Sequence, residues 1–472
     1  MRTTSEITRR KLLAGAASLG LFHGHKAIAR KQTANRPNIL FIMADDMGYA
    51  DLGCYGSHHI RTPNLDRLAA NGIRMLQGYA NSAVCSATRT ALITGRYQYR
   101  LPCGLEEPIA FGHIGLPLDV PTLPGLLRQL GYQTALIGKW HLGAMPDFSP
   151  LDRGYDSFFG VPDGGSDYFT HRLGPTGNLY EGERPVERAG YMTDLLGERA
   201  VADIKKMASD GRPFFMSLHF TAPHWPWEGP EDAAVAKSLS SPMHWDGGSL
   251  KTYAAMVECM DANVGRIIEQ IERLGIADDT IVVFTSDNGG ERFSETWPFT
   301  GAKTELLEGG LRVPLIVKWP ARIKAGTTSQ QVMISMDFVP TLLSAAGADM
   351  HNLPPFDGQD LLGVLVGIDA NRDRTLYWRY KAAEQAAVRQ GEWKYLKIRD
   401  REFLFNLTQD ERERANLKDI EPGRFASLKQ AFAEWDGTML PYLSSTGSHG
   451  ISSDWPDHYQ PVDPIPNPVA RQ

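Results

Sequence analysis

Five apolar runs, each about one strand long and followed by polar residues, constrain this chain more than any other feature. The run from Asn38 to Ala44 reads NILFIMA and ends in Asp45-Asp46. It lacks the polar/apolar alternation of a half-exposed strand, so it suits a strand covered on both faces. YQTALIGK (Tyr132–Lys139), PFFMSLHF (Pro213–Phe220), TIVVFTSDNGG (Thr280–Gly290) and VPLIVKW (Val313–Trp319) have the same character. Helical patterns lie between them, around Asn64–Ala70, Thr122–Leu130, Leu195–Ala208, Tyr253–Leu274 and Phe338–Ala346. Strands alternating with helices predict an α/β fold, a large doubly wound and mostly parallel sheet flanked by helices. Beyond about Arg374 the pattern changes. TLYWRY, AAVRQGEWKYLKI and FLFNL read as short strands in hairpin-like succession, with a helix near Arg424–Trp435. This predicts a smaller C-terminal α+β subdomain containing a short antiparallel sheet. The expected division is an α/β catalytic domain over 36–372 and a C-terminal subdomain and tail over 373–472.

Residues 1–29 read as an export signal and not as part of the fold. Thr8-Arg9-Arg10-Lys11 precedes a short apolar run through Phe22 and then Ala27-Ile28-Ala29, a charged region, an apolar region and a small-residue cleavage pattern. The paired Arg9-Arg10 is similar to a twin-arginine signal, which predicts a periplasmic or secreted protein. The apolar run is shorter than the roughly 20 residues that span a bilayer, so stable membrane insertion is not expected. A net charge of −6 with no basic stripe excludes a nucleic-acid partner. The four cysteines, Cys54, Cys85, Cys103 and Cys259, are too scattered for a disulfide framework or zinc spacing. Pairing of Cys54 with Cys103 stays open.

Ligands of an open α/β sheet gather beyond the carboxyl ends of its strands. Asp45-Asp46 follows the first run, Lys139 and His141 the second, His224 the third and Asp287-Asn288 the fourth; Lys303 comes after in TGAKTELLEGG. An Asp-Asp pair alone is an ordinary cap or turn, and SDNGG an ordinary turn. Placed at the ends of buried strands of one sheet, they supply hard oxygen ligands that suit Ca²⁺, with Mg²⁺ as the other choice. Around them Arg89, Lys139 and Lys303 make a cationic site that suits a tetrahedral anion such as sulfate or phosphate.

With these residues in place the chain resembles the type I sulfatases of the alkaline-phosphatase superfamily. The resemblance runs from Pro37 to about Pro320, with a weaker match at FLFNLTQDERERANL, and rests most firmly on CSATR (Cys85–Arg89) and LITGR (Leu92–Arg96). It implies that Cys85 is oxidised to Cα-formylglycine by a formylglycine-generating maturase before export. Ala87 occupies the position where the aerobic maturase usually meets proline, so the resemblance leaves the type of maturase open. It further implies metal ligation by Asp45, Asp46, Asp287, Asn288 and the modified Cys85. The hydrated aldehyde of Cys85 would attack sulfur, a nucleophilic step divided in two. Arg89 would hold the hydrated side chain and Lys139 and Lys303 the sulfate oxygens. His224 would protonate the leaving alcohol, and His141 would take the proton that lets sulfate depart.

The expected activity is hydrolysis of a sulfate ester on a carbohydrate derived from a sulfated polysaccharide. Candidate sugar contacts are His171, Arg172, Trp225, Trp227 and Trp245, through stacking or a second anionic group; packing and solubility are the plain alternatives for each. Two other functions fit parts of the pattern. One is a formylglycine-dependent phosphodiester or phosphonate monoester hydrolase. The other is a sulfated-glycan-binding protein whose Cys85 is never modified.

Overall fold

In the computed structural model the described residues are 36–107, 113–173, 176–238, 247–444 and 446–448. The expected export signal lies outside them. The strand Asn38–Ala44 is central, as its uninterrupted apolar run predicts. It pairs in parallel with Phe214–His219 on one side and with Thr280–Ser286 on the other. Gln133–Gly138 and then Ser157–Gly160 extend the sheet, also in parallel. The register sets Ala44 beside Ser286, Met43 beside His219, and His219 beside Gly138. The carboxyl ends of four strands therefore share one edge.

Pleating sends Leu40, Ile42 and Ala44 into one core layer, with Leu65 and Leu68 of the helix Pro63–Ala70, Leu196 and Ile204 of Met192–Asp210, and Met256 and Ile267 of Leu250–Arg273. Ile39, Phe41 and Met43 enter the opposite layer, with Leu126 of Leu123–Gln129 and Val339 of Phe338–Ala345. Helices on both faces explain the lack of alternation. The same two layers decide the cysteine question. Cys54 packs against the first layer and Cys103 lies in the second, so the sheet separates them, and all four cysteines are free.

The run VPLIVKW forms the strand Leu315–Lys318, antiparallel to Thr280–Ser286. No long helix crosses over between these two strands; a loop and the short helix Glu308–Leu311 turn the chain straight back. The connection over 287–314 is long enough for a parallel crossover, but it holds no helix that could pack across the sheet. The ten-stranded sheet ends in Thr327–Ser329 on this side and in Arg184–Pro185 on the other. These and Ile73–Met75 are too short to carry a readable period. No described helix is long and apolar enough to cross a membrane.

The C-terminal sheet is a four-stranded antiparallel meander of Thr375–Tyr380, Gln385–Gln390, Trp393–Ile398 and Arg401–Asn406. One face holds Leu428 of the helix Pro422–Asp436 against Val388 and Leu404. The other face puts Leu376, Trp378 and Leu396 into one cluster with Ala87 and Ala91, so it supports the helix that begins at Cys85. Lys394 ties this sheet to the rest of the chain: its buried ammonium lies 3.0 Å from Glu308 and 2.8 Å from Glu413. Lys394→Met should therefore destabilise the protein by about 3–5 kcal/mol, because it leaves the buried Glu413 without its cation and Glu308 with Arg312 alone, at 3.4 Å. Urea unfolding measures this, and an unchanged midpoint would show that the ion pairs carry no stability.

Candidate active site

The shared sheet edge brings the strand-end residues together. Asp45 and Asp46 leave the central strand, and Asp46 takes a left-handed backbone with φ of 64°. Its N–H donates to Asp287 Oδ1 at 3.2 Å, and Asn288 Nδ2 donates to Asp46 Oδ1 at 2.7 Å. Cys85 opens the helix Cys85–Thr94, all of whose residues are buried. Ala87 and Ala91 let that helix lie close against its neighbours, and the thiol projects into the acidic group, with Sγ 3.3 Å from Asp45 Oδ1 and 3.6 Å from Asp46 Oδ1.

Each carboxylate has its own cation. Arg89, one turn after Cys85, reaches Asp287 Oδ2 with Nε at 3.0 Å and Nη2 at 2.7 Å, while its Nη1 donates to the Lys139 carbonyl at 3.0 Å. Lys139 Nζ donates to Asp45 Oδ2 at 2.6 Å, and Lys303 Nζ to Asp46 Oδ2 at 2.8 Å. All three cations are buried. The imidazoles complete the cluster. His224 Nδ1 lies 2.6 Å from the Trp225 carbonyl and must donate to it, so Nε2, 3.5 Å from Asp46 Oδ2, faces the cluster. His141, also left-handed with φ of 56°, is buried with no partner for Nδ1. Two left-handed non-glycine residues in one site are backbone strain held by surrounding structure.

Crowding shows in the proton affinities. Burial, relieved by Lys139 but reinforced by Asp287 and Asp46, pushes the Asp45 carboxyl well up. For Asp46 burial is outweighed by Lys303, His224 and Lys139, and its carboxyl is held low; Asp287 is held low likewise, with Arg89 and Lys139 outweighing burial. Burial, then the negative Asp287 and Asp45, pushes the Cys85 thiol well up, so the encoded side chain is not a thiolate nucleophile. Burial, then Lys139 and Arg89, holds His141 well down. Burial lowers His224 to about 3, with Lys303 and Lys139 adding to it and Asp46 opposing.

A divalent cation fits this donor set. Three carboxylates crowd together, one of them forced toward its neutral form, and the buried Asn288 Oδ1 has no hydrogen-bond partner. The group of Asp45, Asp46, Cys85 and His224 offers ligand atoms within 4.8 Å of one another. The carboxylates of Asp45, Asp46 and Asp287 and the Asn288 amide are the hard oxygen donors that suit such an ion; the encoded Cys85 sulfur and the His224 nitrogen are softer.

The expected sugar contacts are dispersed. Trp225 packs against the His224 ring at 4.4 Å between centroids. Trp227 is buried against Phe293 and, as packed, has no free face for a sugar. His171 is buried, with Nε2 3.0 Å from the Gly190 carbonyl. Arg172 is exposed, with Glu187 at 3.9 Å. Trp245 lies outside the described residues. Other residues at the site carried no readable signal. Glu107 has a carboxylate oxygen within 4.8 Å of Cys85 Sγ and of a His141 ring nitrogen. Gly164 approaches an imidazole so closely that an added Cβ would meet His141 Nε2 at 2.7 Å, and Gly165 lies beside the other, where a Cβ would be in ordinary contact with His224 Cε1 at 3.4 Å. The Gly-Gly pair was visible in the sequence; what it touches was not.

An oxygen-rich acidic group ringed by buried cations and reached by a helix-opening cysteine is a centre for handling tetrahedral oxyanion esters. Residues 37–348 match the family model described as Sulfatase, and residues 302–432 match one described as N-sulphoglucosamine sulphohydrolase, C-terminal. The chain belongs to the sulfatase family, within the alkaline-phosphatase superfamily, and is a sulfuric ester hydrolase. It is 32% identical over 437 residues to N-acetylgalactosamine-6-sulfatase of Canis lupus familiaris, covering 87% of this chain and 80% of that one. It is 32% identical over 474 residues to arylsulfatase A of Bos taurus, covering 86% and 89% respectively. Among solved structures it is similar to Ps i-CgsB in complex with k-i-k-neocarrahexaose, with a TM-score of 0.78 and 29% identity over 88% of this chain and 95% of that one.

Proposed function

We propose that this chain removes sulfate from a sulfated carbohydrate, using formylglycine made from Cys85 and a bound divalent cation. The observation that carries this reading is the position of Cys85: a buried, un-ionised thiol at the first turn of a helix, within 3.6 Å of two carboxylates that are each paired with a lysine. Its chemistry as encoded is poor, and its surroundings suit an oxygen nucleophile. Oxidised by a maturase, Cys85 supplies a hydrated aldehyde whose oxygen can attack sulfur. The cation, Ca²⁺ or Mg²⁺, held by Asp45, Asp46, Asp287, Asn288 and the modified Cys85, supplies charge that favours the deprotonated oxygen.

The chain's own residues do the rest. Arg89 fixes the face of the helix on which Cys85 sits and holds Asp287. Lys139 and Lys303 have ammonium donors to spare for sulfate oxygens. His224 donates through Nε2 to the leaving alcohol. In the free protein it is neutral at pH 7, since burial and the two lysines hold it near 3. The negative charge of an entering sulfate ester offsets that cationic field and lets the imidazolium form. His141 accepts the proton of the later step. Trp225, beside His224, is the aromatic that a sugar ring would meet. Similarity to Ps i-CgsB, solved in complex with k-i-k-neocarrahexaose, and to N-acetylgalactosamine-6-sulfatase supports a sulfated oligosaccharide substrate. The charged, apolar and small-residue pattern of residues 1–29 supports export to the periplasm or medium.

Chelation should lower activity and thermal stability together, because a ligand bound only by the native state adds about 2.7 kcal/mol at one hundred times its dissociation constant. Elemental analysis should find one Ca²⁺ or Mg²⁺ per chain; stoichiometric zinc with neither would refute the assignment. A panel of defined sulfated oligosaccharides, run beside phosphate diesters and phosphonate esters, tests the substrate class. Preference for the phosphorus esters would replace this reading with a phosphodiester or phosphonate hydrolase, and binding without turnover would make the chain a glycan-binding protein.

A further inference from the structure

The two loops that carry the metal-ligating residues leave different strands; within the ligand group they are joined by the Asp46 N–H to Asp287 and the Asn288 amide to Asp46, and a second link lies farther out. Asp51 joins them. It is fully buried, and its hydrogen bonds go to groups other than the proposed ligands. Its Oδ2 accepts from the N–H of Gly48, in the loop that continues from Asp45-Asp46, at 2.7 Å. Its Oδ1 accepts from the N–H of Glu295, in the loop that continues from Asp287-Asn288, at 2.7 Å. The Tyr253 hydroxyl of the helix Leu250–Arg273 donates to Oδ2 at 2.5 Å and fixes the carboxylate in place.

The contact is tight on both sides. Ala50 N–H donates to the Glu295 carbonyl at 2.8 Å. A Cβ on Gly48 would meet that same carbonyl oxygen at 2.6 Å, and one on Gly290 would meet Gly48 N at 2.7 Å. Only glycines allow the loops this close. One side chain thus spans the seam with a hydrogen bond to each loop. Outer-shell groups of this sort orient first ligands and are felt in metal affinity.

We propose that Asp51 is a positioning residue that sets the spacing between the Asp45-Asp46 and Asp287-Asn288 loops and thereby the affinity for the divalent cation. This rests on the metal reading above. The test compares wild-type protein, Asp51→Asn and Tyr253→Phe. Ca²⁺ binding to chelator-treated protein is measured by titration calorimetry, together with the thermal midpoint of the Ca²⁺-free form. Asp51→Asn keeps the shape but puts an amide N–H against donors, and should weaken Ca²⁺ about 10–100-fold. Tyr253→Phe leaves the carboxylate but frees it to turn, and should weaken Ca²⁺ by a smaller factor, about threefold or more. A purely structural role would lower the Ca²⁺-free midpoint and leave the dissociation constant alone; that result overturns the proposal. If Asp51→Asn does not fold, Tyr253→Phe decides: an unchanged dissociation constant overturns the proposal and a weakened one upholds it. Wild-type protein that binds neither Ca²⁺ nor Mg²⁺ would sink the metal reading itself, and the clamp with it.

Discussion

Cys85→Ala should abolish sulfate ester hydrolysis while leaving the protein folded. The loss should be complete within detection, because no other described side chain in the cluster offers a nucleophile at that point. The helix should survive: the side chain lost is small, Ala is a better helix former than Cys, and Ala87 and Ala91 still fill the contact with the C-terminal sheet. The check has two parts, turnover on an aryl sulfate and the mass of the peptide that contains Cys85. In active wild-type protein that peptide should be lighter than encoded, by loss of H₂S and gain of oxygen. Full activity in Cys85→Ala, or an unmodified thiol in fully active protein, would sink the mechanism. Cys85→Ser separates the modification from simple nucleophilicity: a hydroxyl that is not oxidised leaves the protein inactive, although it can still bind the anion.

The two histidines should separate by substrate. If His224 protonates the leaving alcohol, its loss is felt in proportion to how badly that alcohol leaves. An aryl sulfate departs as a stable phenolate and needs little help; a sugar sulfate departs as an alkoxide and needs the proton. His224→Ala should therefore reduce kcat/KM for a sugar sulfate by about 10²-fold or more beyond any loss on an aryl sulfate. His141→Ala, acting after the bond to the alcohol is broken, should slow kcat for both substrates to a similar extent. KM alone would mislead, since slowing a late step lowers it without tighter binding. Equal loss of both activities in His224→Ala would show the roles to be wrongly assigned. The structure supplies a reason for different behaviour: His224 is oriented through Nδ1 by the Trp225 carbonyl, while His141 Nδ1 has no partner.

Much of this site was legible along the chain because its residues sit at strand ends. Asp45-Asp46, Lys139, His224 and Asp287-Asn288 each follow an apolar run, and parallel strands necessarily bring such positions to one edge. Arg89 was legible from the resemblance carried by CSATR, with its helical spacing from Cys85 in support. The antiparallel return at Leu315–Lys318 was not, because an apolar run has no direction and the connection decides it. The fate of the aromatics was not legible either. Trp225 and Trp227 flank His224 alike in sequence, yet one packs on the imidazole and the other is buried against Phe293.

What the sequence determined by itself was local or periodic: the strands buried on both faces, the helices between them, the helix start at Cys85, and the class of chemistry that a CSATR segment and hard oxygen ligands at strand ends imply. What the tertiary structure decided was every relation across large sequence separations. It placed Cys54 and Cys103 on opposite faces of the sheet, Glu107 beside His141, Gly164 against an imidazole, and Asp51 between two loops. The physical reason is that period and propensity act over one or two turns of chain. The partner of a buried carboxylate is chosen by packing, among groups that the sequence keeps some two hundred residues apart.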